Sequence, residues 1–327
     1  LQRFEIKMYC SPEFPAYRMR RLRRFKIIQE TQLKKDDFVY PLFIDENIKK
    51  RKEIASIPGQ YRFPLKEIVE EVTSLREIGI RSVILFGIPS KKNMVGSEAY
   101  NKNGVVQRAI KAIKKEITDI IVIGDVCLCE YTSHGHCGIL TEENYIDNDK
   151  TLDVIGKIAE SYAESGIDIV APSGMMDGTV RFVRKRLDDE GYTDVAIMAY
   201  SAKYNSGFYS PFRDAADSSP SFGDRSTYQM DYKNSDEAMR EIYLDIKEGA
   251  DIVMVKPALS YLDIIYRAKK MFNFPLAAYN VSGEYAMLKL SSLDQDRVME
   301  EILSSIKRAG ADIIISYHAK EFIERFL

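Results

Sequence analysis

Short apolar runs recur along the chain at 39–44, 82–87, 120–127, 168–173, 195–203, 251–257, 275–281 and 312–317. Each is rich in Val, Ile, Ala or Tyr and almost continuously apolar, the pattern of parallel strands covered on both faces. Between most of them lie stretches with helical period, at 65–78, 105–116, 152–165, 179–189, 235–248, 261–271 and 292–309. Many of these close on a glycine just before the next strand (Gly79, Gly166, Gly191, Gly249, Gly310), as helix C-caps do. Eight strands alternating with helices predict an α/β protein, a (β/α)8 TIM barrel, with a doubly wound open sheet as the second reading.

Ahead of the first strand the pattern changes. The stretch YRMRRLRRFKIIQE carries Arg18, Arg20, Arg21, Arg23, Arg24 and Lys26, while Met19, Leu22, Phe25 and Ile28 form an apolar stripe at spacing three. A basic arm that docks on a neighbouring subunit is the expected role, with plain solvated surface and a polyanion site as the alternatives. The domain organisation expected is therefore an N-terminal arm over 1–35 and a catalytic barrel over 36–327.

Charge and composition narrow the classes. A formal net charge of −2 provides no global basic field for nucleic acid. No apolar run approaches the roughly 20 residues of a membrane-crossing helix. The opening LQRFEIKMYCSPEF carries no apolar signal core, so a reducing cytoplasm is expected, where clustered cysteines are metal ligands or reactive thiols rather than disulfides. Cys10 stands alone and reads as an ordinary thiol.

The other three cysteines, and two of the chain's three histidines, crowd into DVCLCEYTSHGHCG at 125–138. On an extended strand Asp125, Cys127 and Cys129 share a face, and Gly135 and Gly138 allow the chain to bring Cys137 back. Three thiolates at this C-x-C-x7-C spacing suit Zn2+, and three protein ligands leave an open position, the mark of a catalytic zinc. A fourth ligand from His134 or His136 would instead make the site structural, and buried or redox-active thiols are the remaining reading.

Two further runs end on lysine: MAYSAK at Lys203 and DIVMVK at Lys256. An ammonium at the end of an apolar strand is expensive unless it is paired or neutral. With an ordinary pKa near 10.4, only about 0.04% of a lysine is neutral at pH 7, and a shift to roughly 7–8 raises that fraction by two to three orders of magnitude. Lysines on adjacent strands would depress each other, and a neutral lysine attacks ketones to form Schiff bases. Rim lysines in ion pairs are the alternative. After Lys203, the Gly/Ser/Pro-rich stretch GFYSPFRDAADSSPSFGDRSTYQ holds Arg213, Arg225 and Gln229 and reads as a lid; its arginines suit a carboxylate, with surface arginines on a loop as the alternative.

From about Phe14 to the C-terminus the chain resembles the porphobilinogen synthase (5-aminolevulinate dehydratase) family. The resemblance rests on DVCLCEYTSHGHCG, APSGMMDG, FRDAADSSPSFGDR, MVKP with YLD, and VSGEYAML. It implies a barrel with an N-terminal arm embracing another subunit of a homo-octamer, and the condensation of two 5-aminolevulinate molecules into porphobilinogen with loss of two waters, toward haem and other tetrapyrroles. By position it implies Lys256 and Lys203 as Schiff-base lysines, Lys256 on the propionate side and Lys203 on the acetate side. Cys127, Cys129 and Cys137 become zinc ligands. Asp125 and Ser173 line the first substrate pocket, Ser282 and Tyr317 bind its carboxylate, and Arg213, Arg225 and Gln229 bind the second. Some members carry a regulatory Mg2+ between subunits, with no ligands assigned here. Two positions depart from the pattern: Gly174 where aspartate is usual, and Ser210 where glycine is usual, both read as tuning. Without the resemblance the residues reach a lysine-and-zinc barrel enzyme acting on a small carboxylated ketone, an aldolase with structural zinc, or a non-catalytic metal-binding scaffold.

Overall fold

The structure, a computed structural model, describes Arg20, Leu22 and residues 28–327. Residues Leu1–Gln32 and Leu33–Leu327 form two compact units, and everything below concerns the second. Most of the basic arm, Cys10 included, lies outside the described residues. No helix among them is long and apolar enough to cross a membrane.

Eight parallel strands close on themselves: β1 Phe38–Asp45, β2 Ser82–Ile88, β3 Ile121–Val126, β4 Ile169–Pro172, β5 Ala196–Lys203, β6 Ile252–Lys256, β7 Leu276–Asn280 and β8 Ile313–Ser316. The closing pair is β1 with β8, registered Phe38 to Ile314 and Val39 to Ile315. That pairing removes the open-sheet alternative. Every apolar run expected to be a strand is one, within a residue or two at each end. The continuous apolarity has a simple cause. Along β1, Val39 and Phe43 join the barrel interior with Ile84, Phe86, Met198, Tyr200, Tyr279 and Ile315. Tyr40, Leu42 and Ile44 alternate with them and pack outward under the helices.

The helices are α1 Ile68–Glu77, α2 Val105–Glu116, α3 Asn148–Ala163, α4 Thr179–Asp189, α5 Ser210–Ala215, α6 Asp236–Glu248, α7 Leu262–Phe272, α8 Ser282–Lys289, α9 Gln295–Ala309 and α10 Ala319–Phe326. In α2, Val105, Val106, Ala109, Ile110 and Ile113 are buried at spacings of three and four, the stripe an amphipathic helix turns to its core. Helix α3 begins four residues earlier than its apolar periodicity suggested, because Asp147 caps it by accepting from the Lys150 amide at 3.1 Å.

A device repeats at the strand starts. The triplets Gly166-Ile167-Asp168, Gly249-Ala250-Asp251 and Gly310-Ala311-Asp312 follow three helices. In each, the glycine leaves its helix at positive φ, and the aspartate two residues on accepts from the first amides of the preceding strand. The bonds are Val122 N to Asp168 Oδ2 at 2.7 Å, Ile197 N to Asp251 Oδ2 at 2.8 Å and Leu276 N to Asp312 Oδ2 at 2.9 Å. Each triplet thus ends a helix and ties two neighbouring strands at the barrel's floor, leaving the opposite, C-terminal rim for chemistry.

Candidate active site and metal centre

Lys203 and Lys256 are partners across neighbouring strands in the barrel register. The pairing between β5 and β6 is irregular: Val253 pairs with Ala199, but Val255 pairs with Ala202. One extra residue in β5 at Tyr200–Ser201 therefore turns Lys203 to the same side as Tyr200, which strict alternation would oppose. Bulges re-aim side chains in this way beside active sites. Both amines then flank one ring: the Lys203 and Lys256 nitrogens lie 5.5 and 4.9 Å from the Tyr200 centroid.

Their surroundings differ. The Lys203 ammonium donates to the Ser173 carbonyl at 2.5 Å. Lys256 makes no hydrogen bond or ion pair with any described residue and sits in an aromatic box, 4.3 Å from the Tyr279 ring, 5.1 Å from Phe212 and 5.3 Å from Tyr209. Burial, then the charge of Lys203, brings the Lys256 pKa from 10.5 down to about 7, against the pull of Asp125. These are buried lysines without carboxylate ion pairs, so the alternative of ion-paired rim lysines does not hold.

Asp125 is the penultimate residue of β3, positioned in part by Tyr162 of α3, whose hydroxyl donates to the Asp125 carbonyl at 3.4 Å. Ser173 follows β4 and donates to the Asp125 carboxylate at 3.2 Å. Burial raises the Asp125 pKa while Lys203 and Lys256 hold it down, so the carboxylate faces both amines.

Just beyond Asp125 stand the thiols. Cys127, Cys129 and Cys137 are all buried and reduced, with sulfurs within 4.8 Å of one another and 3.4 Å between Cys127 and Cys129. Cys137 is held well below the usual thiol range by hydrogen bonds from Cys127 and Cys129, and further by Arg225 and Lys203. Soft, converging, partly ionised sulfurs fit a zinc-type ion. The histidines do not complete the cage. His134 accepts the His136 amide at Nδ1 (3.1 Å) and its Nε2 meets the Met94 carbonyl at 3.2 Å. His136 spends its ring nitrogens on the Tyr228 hydroxyl (3.2 Å) and the Phe222 carbonyl (3.1 Å). The closed Cys3His reading therefore fails: the His136 ring anchors the lid, and the His134 ring ties the cysteine loop to the Met94 carbonyl.

The lid, 204–230, is docked over the cysteine loop. Ser221 N donates to the His134 carbonyl at 3.0 Å, and the Arg225 guanidinium donates to the carbonyls of Gly135 (3.0 Å) and Ser218 (2.7 Å). Gly135 has φ +71°, and a Cβ there would stand 2.3 Å from the Ser219 carbonyl oxygen, so only glycine lets the two segments close. Under the lid, Arg213 Nε, Arg225 Nε and both ends of the Gln229 amide are buried without partners. Unpaired buried donors are costly, and two guanidinium groups acting on the charge of Cys129 and Cys137, with an unpaired amide in the same segment, suit an anionic ligand. Burial, then Arg225, lowers the Arg213 pKa, as expected where two guanidinium groups share a desolvated site.

Across the barrel mouth, the Tyr317 hydroxyl shares a hydrogen with the Tyr279 hydroxyl at 3.3 Å, beside Lys256. Ser282, at the start of α8, accepts the Phe212 amide at 2.9 Å, so its hydroxyl currently fastens the lid. Gly174 has space: a Cβ would meet its nearest neighbour, the Cys137 carbonyl, at an ordinary 3.6 Å. Ser210 opens α5 with helical φ of −52°, so its Cβ costs the lid no strain.

Sequence reasoning missed several members of the site. Tyr200, Tyr209, Phe212 and Tyr279 surround Lys256, and Tyr228 reaches the Cys137 amide at 3.4 Å. Glu130 is 2% exposed and its carboxylate lies 3.3 Å from the Cys129 sulfur. Only burial distinguishes Glu130 from a surface glutamate, and that is invisible in a motif.

Residues 16–325 match the family profile described as delta-aminolevulinic acid dehydratase. Relatives of that name are 56% identical over 319 residues in Archaeoglobus fulgidus (96% of this chain, 99% of theirs) and 49% identical over 312 residues in Bacillus subtilis (93% and 96%). A crystal structure of the Toxoplasma gondii delta-aminolevulinic acid dehydratase with its product porphobilinogen superposes with a TM-score of 0.92 at 41% identity, covering 97% of this chain and 92% of that one.

Proposed function

The chain belongs to the delta-aminolevulinic acid dehydratase family and is a porphobilinogen synthase, a hydro-lyase; on that premise we propose how its own residues join two 5-aminolevulinate molecules and expel two waters. One observation carries the mechanism: the Lys256 amine is buried without a hydrogen-bond or ion-pair partner among the described residues, its pKa brought down to about 7, and it stands beside Lys203 in the barrel register.

Neutral Lys256 attacks the ketone of the first substrate, and loss of water leaves an imine whose carbon is electron-poor. Tyr317 and Ser282 take the carboxylate of this molecule, Ser282 by exchanging its bond to the lid. The second molecule enters beside Lys203, its carboxylate filling the place aimed at by Arg213, Arg225 and Gln229. An imine there, formed with loss of the second water, makes C3 acidic. A base withdraws the C3 proton, and C3 attacks the imine carbon on Lys256 while the C=N electron pair moves to nitrogen. Lys256 then leaves as its free amine, and the first substrate's own amine displaces Lys203 as the ring closes. Asp125, hydrogen-bonded to Ser173 and facing both amines, is placed to hold or move that proton. Holding both molecules covalently removes most of the entropic barrier to their meeting.

Cys127, Cys129 and Cys137 would hold a zinc ion, which supplies Lewis-acid polarisation of the second substrate's carbonyl. The basic arm over 1–35, with its apolar stripe, supports self-association into the homo-octamer that the resemblance implies, and the charge and apolar patterning support a cytoplasmic enzyme. Incubation with 5-aminolevulinate followed by detection of a pyrrole tests the function. A barrel aldolase would instead form its lysine adduct with a sugar phosphate and yield no pyrrole.

A further inference from the structure

Three strand ends at the barrel rim carry the contacts proposed for the first substrate: Lys256 closes β6, Ser282 follows β7 and Tyr317 follows β8. Behind them runs a hydrogen-bonded belt that the mechanism does not use. Glu284 of α8 is fully buried and makes no ion pair with any described residue. Its Oε1 accepts the Leu259 amide at 2.7 Å, on the loop after Lys256. Its Oε2 accepts the Val281 amide and the Asn280 side-chain amide, at 3.0 Å each. The belt then crosses to β8. Asn280 Oδ1 accepts the hydroxyl of Ser316, its partner in the strand register, at 2.9 Å, and Ser316 Oγ accepts the His318 amide at 3.1 Å.

The belt lies outside the barrel wall. Asn280 and Ser316 share the outward parity of Ala278 and Ile314, whereas Tyr279, Val281 and Tyr317 belong to the interior. Burying a carboxylate without a cation is costly, and a glutamate on the helix surface would cap the Val281 amide equally well. What the buried carboxylate adds is a tie between strands. Each substrate-contacting residue is bracketed by the belt: Lys256 precedes Leu259, Ser282 sits between Val281 and Glu284, and Tyr317 sits between Ser316 and His318. In 5-aminolevulinate two methylenes join the carboxylate to the ketone. A carboxylate held by Ser282 and Tyr317 therefore presents its ketone to the Lys256 amine only if these strand ends keep a fixed separation.

We infer that Glu284, acting through Asn280 and Ser316, is a positioning residue for the first substrate, setting the distance between the carboxylate-binding pair Ser282 and Tyr317 and the Lys256 amine. The inference rests on the proposed first-substrate site and adds to it the element that fixes its length. Small displacements matter here, because a misplacement of about 1 Å costs about 100-fold in an oriented reaction.

The test is borohydride trapping on Lys256, read by mass mapping, with two probes. One is 4-oxopentanoate, which has the substrate's carboxylate and ketone; the other is butan-2-one, which lacks the carboxylate. The zinc-supplemented wild type should trap 4-oxopentanoate at far lower concentration. Glu284→Gln sets an amide N–H against the Leu259 or Val281 amide. It should lower trapping efficiency with 4-oxopentanoate about 10–100-fold while changing that with butan-2-one by less than about threefold. Ser316→Ala, which breaks only the far link, should show the same split at about tenfold. Wild-type trapping of 4-oxopentanoate in both variants, or an equal loss with both probes, would overturn the inference; the equal loss would make the belt a support of the lysine pocket alone. A wild type that traps the two probes equally would overturn the carboxylate site itself, whatever the variants do. If thermal melts show that Glu284→Gln does not fold, Ser316→Ala decides the matter.

Discussion

Lys256 is the residue on which the chemistry turns, and its environment makes a signed prediction. Its pKa is about 7 in the folded chain against 10.5 ordinarily. Between those values the unfolded chain binds the extra proton, so folding stability gains with rising pH across that window, and below about pH 7 the full cost of the buried cation remains. Lys256→Met should therefore be more stable than the wild type by about 2 kcal/mol or more at pH 6, the difference shrinking toward pH 10. Chemical denaturation at the two pH values measures it, and equal stability at pH 6 would show that the amine is not desolvated. The same variant should lose pyrrole formation by at least about 1000-fold, since no other buried amine occupies the aromatic box.

At the scale of elements, two kinds of contact do separate jobs. The aspartates that follow the helix-ending glycines tie strands at the floor, far from the lysines. Asp251→Ala should cost about 1–3 kcal/mol through loss of the bond to Ile197 N, lowering Tm while leaving kcat near the wild-type value. The lid contact behaves in the opposite way. Gly135→Ala forces the cysteine loop off the Ser219 carbonyl, and it should weaken zinc binding and lower kcat about tenfold or more while the barrel melts within a few degrees of the wild type. A stability loss without a catalytic one in Gly135→Ala would mean that the lid and the thiol loop are not coupled.

Over the whole molecule, the strands and most helices were legible because the barrel buries both strand faces and the helices keep one apolar stripe each. The thiol spacing and the two strand-ending lysines pointed to the site for the same reason: cost. Buried sulfur clusters and buried amines are unusual enough to show in a bare sequence. What stayed hidden depends on geometry that residue types do not encode. The extra residue in β5 that re-aims Lys203 breaks the period-two pattern without any glycine or proline to mark it. Helix α5 is too short to show a period, and α8 and α10 begin directly at strand ends, where their apolar residues merge with the runs before them. The commitment of the His134 ring to the residue 94 carbonyl and of the His136 ring to the lid's residue 222 carbonyl, against the expectation of a fourth ligand, depends on partners too distant in the chain to foresee. Removing the metal tests the assembled site: prolonged treatment with a thiol-competitive chelator should abolish pyrrole formation, and added Zn2+ should restore it. Unchanged turnover in verified metal-free protein would leave the lysines standing and remove the zinc.

The most direct measurement is borohydride reduction of the enzyme with 5-aminolevulinate across a pH series, followed by mass mapping of the modified peptides. The reduced adduct should appear on Lys256, with its initial rate half-maximal near pH 7, and should vanish in Lys256→Arg. Trapping confined to surface lysines, or a Lys256 adduct that forms only as the solution approaches the ordinary lysine pKa, would contradict the buried neutral amine from which the rest follows.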